Sequence, residues 1–422
     1  MDVETAYLHS DLDRPQFMSA PPGFTDIPAG SVLQLKKALY GLHQSGRLWN
    51  LDLVAAIKKL GYVAGEHSDP SVYVRRSRTG QPMILGSFVD DIPYLYTPED
   101  AAEMAEDKVS LTRSFKMKDL GPVQQLLGMR VTRQPDGSVL LDQEAFVRRL
   151  CATYGIGKKT PSVLTPEFAS LIAAVEPQSH AAASQQEDAE LEQPVSYATL
   201  PSICGGLGYA THAARCDLAH IYNLIARQQS SPTEDTLRQT VRALQYAHDT
   251  CALGLRFTRQ PDFILTAFSD ASWGGPGSDA SSMTGGVFKL AGCAVSWISS
   301  KQSTISLSSS EAEYVAASEA AREIVSLRRL LEHVGCPQLQ PTVLFIDNET
   351  TIRMSTEEGN QERRKHINIK YHYIRQLIDE KEVAPVWIPT GQQQADIMTK
   401  GVSRQQFIIL RDQVMGHTAS VD

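Results

Sequence analysis

The chain has 422 residues, 42% hydrophobic and 21% charged, with a formal net charge of −8. Such a length accommodates two or three domains with sizeable cores, and the composition excludes a disordered or fibrous chain. A net negative charge offers no global attraction for nucleic acid, so any such binding must come from local basic patches.

No signal pattern opens the chain and no run approaches about 18 apolar residues. The six cysteines, scattered without a close pair, suit a reducing compartment and argue against a zinc site. An intracellular, non-membrane protein is expected.

The first stretch, MDVETAYLHSDL, places Asp2 where a strand is already under way, so the start is expected to be cut. PPGF and LQLKKALYGLHQSGRLWN follow. Leu39, Leu42 and Trp49 offer an apolar face there, and Lys36, Lys37, His43 and Arg47 a basic one. Residues 82–88 read as a buried strand running into Val89-Asp90-Asp91, and residues 92–96 as the returning strand. Adjacent aspartates at a hairpin tip repel each other and are costly unless they hold cations. An acidic turn is the plain alternative, since Asp is common in turns. Pro93, in the return strand, removes a ladder donor.

Residues 166–195 contain no Lys or Arg and are rich in Ala, Gln, Ser and acid, the composition of a flexible, solvated linker. Downstream, two or three helices are predicted; Leu237, Val241, Leu244 and Ala247 have helical spacing. An apolar-rich strand near Leu255 closes this region.

The last part alternates strands and helices. Residues 263–269 read as a strand ending in Asp270, 284–290 and 293–299 as a hairpin across Ala291-Gly292, and 302–307 as a further strand-like run. The next stretch, SSSEAEYVAASEAAREIVSLRRLLEHVG, has serine N-cap signals and Gly335 as C-cap. Its apolar stripe runs through Ala317, Ala320, Ile324, Leu327, Leu331 and Val334, and one turn back it lands on Glu313. Glu311 is rotated by about 200° and points away. An inward acid without a basic neighbour on its own face is costly unless a metal or a donor awaits it. For Glu311, compensation of the helix dipole suffices.

Residues 342–346 form a short strand ending in Asp347. A helix over about 367–382, a strand over 384–388 and a terminal helix started by Asp396 complete the chain. Asp270 and Asp347 terminate apolar strands, Glu313 faces inward and Asp396 starts a helix. Four such carboxylates with no Lys or Arg beside them in sequence suit hard cations with oxygen ligands.

DVETAYL, PPGF, KALYGLHQSGRLW, FVDD and FKMKDLGPVQQLLGMRV, in this order, resemble the reverse transcriptase of copia-type LTR retrotransposons. The resemblance implies a right-hand polymerase palm in which Asp2, Asp90 and Asp91 hold two magnesium ions, with manganese as the alternative metal. Such ions activate the primer 3′-hydroxyl and stabilise the leaving pyrophosphate. Gln44 would lie near the incoming nucleotide and template, and thumb elements would follow FKMKDLG. The family's fingers precede the position of Asp2, which implies impaired polymerisation in their absence. Arg215-Cys216-Asp217 stands where the family's connection region has Arg-Pro-Asp.

FSDASWGG, SSSEAEYVAASEA, FIDNE, HINIKYHYIRQLI and IPTGQQQADIMTKG resemble the RNase H domain that follows reverse transcriptase in these elements. That implies two-metal hydrolysis of RNA in an RNA–DNA hybrid, with Asp270, Glu313, Asp347 and Asp396 as ligands. Ser272 stands where relatives often have an acid. Relatives outside the copia group often carry a His before the last Asp, in a loop shortened here to residues 389–392. Arg363, Arg364, Lys365 and Lys370, beside His366 and His372, form the best local basic patch: solvated surface on one reading, hybrid contact on the other.

The expected fold is α/β and α+β multidomain. A partial polymerase palm and thumb occupies 1–160, an acidic linker 161–195, a helical connection 196–258 and an RNase H-like mixed-sheet domain 259–415. The implied partners are an RNA–DNA hybrid, template–primer nucleic acid and, in an intact element, the upstream fingers and integrase; no membrane is implied. The implied location is the cytoplasm, in a virus-like particle for an intact element, or the nucleus. A catalytically silent remnant that at most binds nucleic acid is the competing reading. The presence of all four acids in the last domain and all three palm aspartates weighs against it.

Overall fold

The computed structural model describes residues 1–23, 27–28, 30–157, 165–166, 194–260, 262–274, 282–356 and 368–417. Most of the linker expected at 161–195 lies outside the described residues, as do Arg363, Arg364, Lys365 and His366; Lys370 and His372 are described by backbone alone. Two compact units are formed, one by Met1–Val123 with Leu327–Pro337, the other by Gln124–Ser326 with Gln338–Asp422. Among the described residues no helix is long and apolar enough to cross a membrane.

The first unit runs β1 (Asp2–Val3), β2 (Asp11–Ser19), β3 (Val32–Lys37), α1 (Ser45–Lys59), β4 (Val63–Ala64), β5 (Val72–Arg76), β6 (Pro82–Gly86), β7 (Tyr94–Leu95), α2 (Ala101–Ser114) and β8 (Met117–Lys118). Strands β4 to β7 form an antiparallel meander in sequence order. On α1, Trp49, Leu53 and Ile57 recur every fourth residue and are buried, as one face of a helix requires. That stripe shares a core with Tyr73, Met83 and Leu85 of the sheet and Met104 and Leu111 of α2. Each such buried side chain contributes about 1.5–3 kcal/mol. Of the expected apolar face only Trp49 lies in this core. Leu39 and Leu42 precede the helix, because Gly41, at φ +92°, turns the chain between β3 and α1.

The second unit runs β9 (Gln125–Leu126), β10 (Met129–Arg133), β11 (Val139–Asp142), α3 (Glu144–Thr153), α4 (Leu200–Ala213), α5 (Ala219–Arg227), α6 (Glu234–Asp249) and β12 (Gly254–Phe257), then β13 (Thr266–Ser272), β14 (Met283–Leu290), β15 (Cys293–Lys301) and α7 (Ser309–His333, whose residues from Leu327 on count with the first unit), and last β16 (Thr342–Ile346), α8 (Glu349–Thr356), α9 (Asn368–Asp379), β17 (Val383–Trp387), α10 (Asp396–Thr399) and α11 (Arg404–Met415). Helix α6 is started by a capping box between Thr233 and Thr236. Strand β11 pairs with β12, Leu141 opposite Leu255, so residues 139–142 join a sheet with the strand that ends the helical region.

The larger sheet has the order β15-β14-β13-β16-β17. Its first three strands pair antiparallel, while β13, β16 and β17 run parallel. This is a mixed sheet, as expected for the last domain. Three details differ from expectation. Asp270 lies inside β13, not at its end: the parallel rungs to β16 stop at Phe268, but the antiparallel rungs to β14 continue to Ser272. Residues 302–307 are not a strand; the Gln302 backbone still donates to Ser282 O (2.8 Å), and its side-chain amide donates to Thr284 Oγ1 (3.2 Å) and Ala312 O (2.9 Å). Asp396 starts a one-turn helix of its own, separated from the terminal helix α11.

Candidate active site

Four acids come from four elements of the second unit. Asp270 (1% exposed) points from β13, Glu313 (6%) from the start of α7, and Asp396 (4%) from the first residue of α10. Asp347 follows the last residue of β16. One carboxylate oxygen from each of Asp270, Glu313 and Asp347 lies within 4.8 Å of the others. Asp396 is linked to them through Lys400, whose Nζ is 2.9 Å from Asp396 Oδ1 and 3.5 Å from Asp270 Oδ2. The Thr399 hydroxyl also donates to Asp270 Oδ2.

The electrostatics are those of crowded, dry carboxylates. Burial, then the charges of Asp270 and Asp347, push Glu313 well above the usual carboxylate range. Asp347 is raised by burial and by Asp270. Burial and Asp270 lift Asp396 to about 7, against the pull of Lys400. Burial works against the Lys400 ammonium, but Asp270 and Asp396 prevail and hold its pKa above the ordinary lysine value. Glu313 Oε2 is buried without a hydrogen-bond partner. An orphaned buried oxygen among hard oxygen donors fits a divalent cation such as magnesium or manganese.

Asp2, Asp90 and Asp91, the aspartates expected to form a palm site, are gathered by strand pairing in the first unit. Phe88 and Asp91 exchange two backbone bonds of 2.9 Å, closing a two-residue turn over Val89 and Asp90. Val3 N donates to Asp90 O and Ile92 N to Met1 O, both at 2.9 Å, which sets Asp2 beside Asp91. On its other side Asp2 pairs with Lys118. Burial, then Asp90 and Asp2, raise the Asp91 carboxyl. Among the described residues these three do not converge as tightly as the first cluster.

Pro93 acts as expected: Gly86 N donates to its carbonyl at 3.0 Å, and a proline has no N–H to return the bond. Val89, at φ +55°, sits at the turn tip, and its carbonyl accepts from Trp49 Nε1 at 2.6 Å. Gln44 precedes α1, its amide nitrogen buried without a partner. A cleft in the same unit is lined by Tyr7, Gly46, Trp49, Ser87, Phe88 and Val89.

Four residues around the first cluster escape sequence reasoning: Gly285, Gln393, Thr399 and Lys400. Thr399 and Lys400 lie three and four residues after Asp396, a spacing that places side chains on one helical face and so was available as a signal. Gly285 and Gln393 matter only through which strand ends they meet, and nothing local announces that.

Residues 1–168 match the family described as reverse transcriptase (RNA-dependent DNA polymerase). The chain is 33% identical over 424 residues to the retrovirus-related Pol polyprotein from transposon TNT 1-94 of Nicotiana tabacum, covering 99% of this chain and 31% of that protein. It is 30% identical over 333 residues to the putative transposon Ty5-1 protein YCL074W of Saccharomyces cerevisiae, covering 77% of this chain and 100% of that one. LC11-RNase H1, isolated from compost, aligns in structure with 32% of this chain and 92% of its own, at 18% identity and a TM-score of 0.26. The chain spans about a third of the length of the tobacco relative. The chain belongs to the copia-type, retrovirus-related Pol polyproteins, and its first 168 residues to their reverse transcriptase.

Proposed function

We propose that the second unit hydrolyses the RNA strand of an RNA–DNA hybrid at Asp270, Glu313, Asp347 and Asp396. The convergence of the first three carboxylates within 4.8 Å carries this reading. These residues would hold a divalent cation, magnesium or manganese. When bound, such ions polarise an attacking water and stabilise a leaving 3′-oxygen. Asp270 is fixed by Thr399 and shares the single Lys400 ammonium with Asp396, so it presents a set oxygen to the site. Glu313, kept dry, offers an oxygen that nothing else engages.

In this reading residues 1–160 are palm and thumb, 196–258 the connection and 259–415 the nuclease domain. Arg364, Lys365 and Lys370 would contact the hybrid and Gln44 the template. Asp2, Asp90 and Asp91 belong to the parental RNA-directed DNA polymerase.

The test is cleavage of a labelled RNA–DNA hybrid by the full chain in magnesium or manganese, with single-stranded RNA as control. Hybrid-specific cleavage abolished by Asp270→Asn is expected. No cleavage with either metal would overturn the reading in favour of a silent remnant.

A further inference from the structure

We infer that Gln393 is a positioning residue that sets the spacing of the acid cluster by bridging the three backbone segments that carry Asp270, Asp347 and Asp396. This rests on the nuclease reading above.

Gln393 is fully buried, three residues before Asp396. Its Nε2 donates to Ser269 O at 2.9 Å and reaches Phe345 O at 3.5 Å, while its Oε1 accepts from Ala395 N at 3.2 Å. Ser269 immediately precedes Asp270, Phe345 lies two residues before Asp347, and Ala395 immediately precedes Asp396. One side chain therefore holds all three segments beside their acids.

The place of this bridge explains its need. The parallel ladder of β13 and β16 ends at Phe268 opposite Phe345. Past that rung the two strands no longer bond each other, and a buried carbonyl left unpaired there would cost about 1–3 kcal/mol. The Gln393 amide acts as a side-chain rung there. A primary amide has two donors and an acceptor, which is what two strand carbonyls and one loop N–H require. Glutamate would set a carboxylate against two carbonyls. Methionine fills the volume but bonds none of the three. Asparagine is one methylene short of reaching both strands. Crowded carboxylates repel one another, so without the bridge the strand ends can splay and the oxygens drift apart.

Manganese binding to the full chain is the test, read by titration calorimetry or by the electron-spin signal of free Mn²⁺. Binding that Asp270→Asn removes defines the cluster. Gln393→Met is expected to raise the Kd of that binding at least about tenfold, within the range of lost outer-shell support. Gln393→Asn should give a smaller rise, and keeps the test open if the methionine variant does not fold. Phe407→Leu, at a buried position of α11, which carries none of the acids, should lower stability and leave the Kd unchanged. A Kd unaltered in both Gln393 variants would overturn the positioning role, as would an equal rise in Phe407→Leu. If the parent chain shows no Mn²⁺ binding that Asp270→Asn removes, the metal reading fails and takes this inference with it.

Discussion

Gly285 on β14 stands directly across the antiparallel ladder from Asp270 on β13. It is the point at which α10 closes on the sheet. A Cβ at Gly285 would lie 2.4 Å from Thr399 Cγ2, 2.8 Å from Ala395 O and 3.0 Å from Met398 Cβ. Two of these neighbours could rotate or shift slightly; the backbone carbonyl cannot. The missing side chain is thus what lets Asp396, Thr399 and Lys400 approach Asp270.

Gly285→Ala should therefore act on the site more than on the fold. Overpacking costs about 1–3 kcal/mol, whereas an outward shift of α10 separates Asp396 from Asp270. Hybrid cleavage is expected to fall at least about tenfold. Gly286→Ala, whose Cβ would meet Phe288 at 3.2 Å and Ile298 Cβ at 3.4 Å, provides the control. Similar activities for the two variants would show that the close approach is not needed.

A second prediction concerns the core of the second unit. Arg215 and Asp217 are both buried and paired through Nε–Oδ1 (2.9 Å) and Nη2–Oδ2 (2.8 Å). Tyr246 OH donates to Asp217 Oδ2 at 2.7 Å, and Arg215 Nη1 to Thr250 O at 3.2 Å. Burial pushes Asp217 upward, but Arg215, Tyr246 and Arg411 together hold it below the usual carboxylate range. With the folded value below the unfolded one, its stabilisation is present above the ordinary carboxylate range and is lost as pH falls through the folded value. Asp217→Asn strands a buried guanidinium and should cost about 3–5 kcal/mol in urea unfolding at neutral pH. Replacing both partners by apolar residues should cost far less. A loss below about 1 kcal/mol for Asp217→Asn would rule out a paired buried charge.

What was legible in the sequence is what local chemistry decides. Ala291-Gly292 forms the hairpin turn because both residues adopt positive φ, +51° and +79°. Helix α7 stops before Gly335, at φ +88°, and the strand over 342–346 has the bounds read from its apolar run. The stripe through Ala317 and Ile324 did place Glu313 on the buried face. Features set by distant partners were not legible. The strand β13 runs past Asp270 because β14 is longer than β16 on that side. The Gln302 side chain reaches the first turn of α7, and Gln393 is one of three consecutive glutamines distinguished only by the strand ends it meets. The division between Val123 and Gln124 follows from a β11–β12 pairing across more than a hundred residues, which no local pattern encodes.

At the hairpin turn over Val89 and Asp90, Trp49 and Val89 should respond in opposite directions. A β-branched residue at φ +55° costs about 1–2 kcal/mol, whereas Asn tolerates that region. Val89 is 37% exposed, so Val89→Asn forfeits little packing and should raise the unfolding midpoint. Trp49→Phe keeps the edge-to-face stacking on Phe115 (4.9 Å) but loses the indole donor to Val89 O, for about 1 kcal/mol of destabilisation. A stabilising Trp49→Phe, or a destabilising Val89→Asn, would contradict this account of the turn.

The sharpest prediction separates two glutamates on one helix. Glu311 serves the start of α7: its Oε2 accepts from Leu307 N at 2.7 Å, and its N donates to Ser308 Oγ at 3.2 Å. Glu313 is 6% exposed and converges with Asp270 and Asp347. Glu311→Gln keeps an acceptor at the helix start and loses only the charge–dipole contribution, about 0.3–1 kcal/mol of stability. Glu313→Gln preserves shape but removes a charge and an oxygen from the cluster. If Glu313 is a ligand, hybrid cleavage should drop by roughly two orders of magnitude, about 2.7 kcal/mol at the transition state. Without metal, the same substitution relieves repulsion among buried carboxylates, so Glu313→Gln should raise the unfolding midpoint in EDTA and diminish the stabilisation that added magnesium confers. Glu311→Gln should leave that magnesium increment intact. Equal effects of the two substitutions on cleavage and on the magnesium increment would refute the assignment of Glu313 to the site.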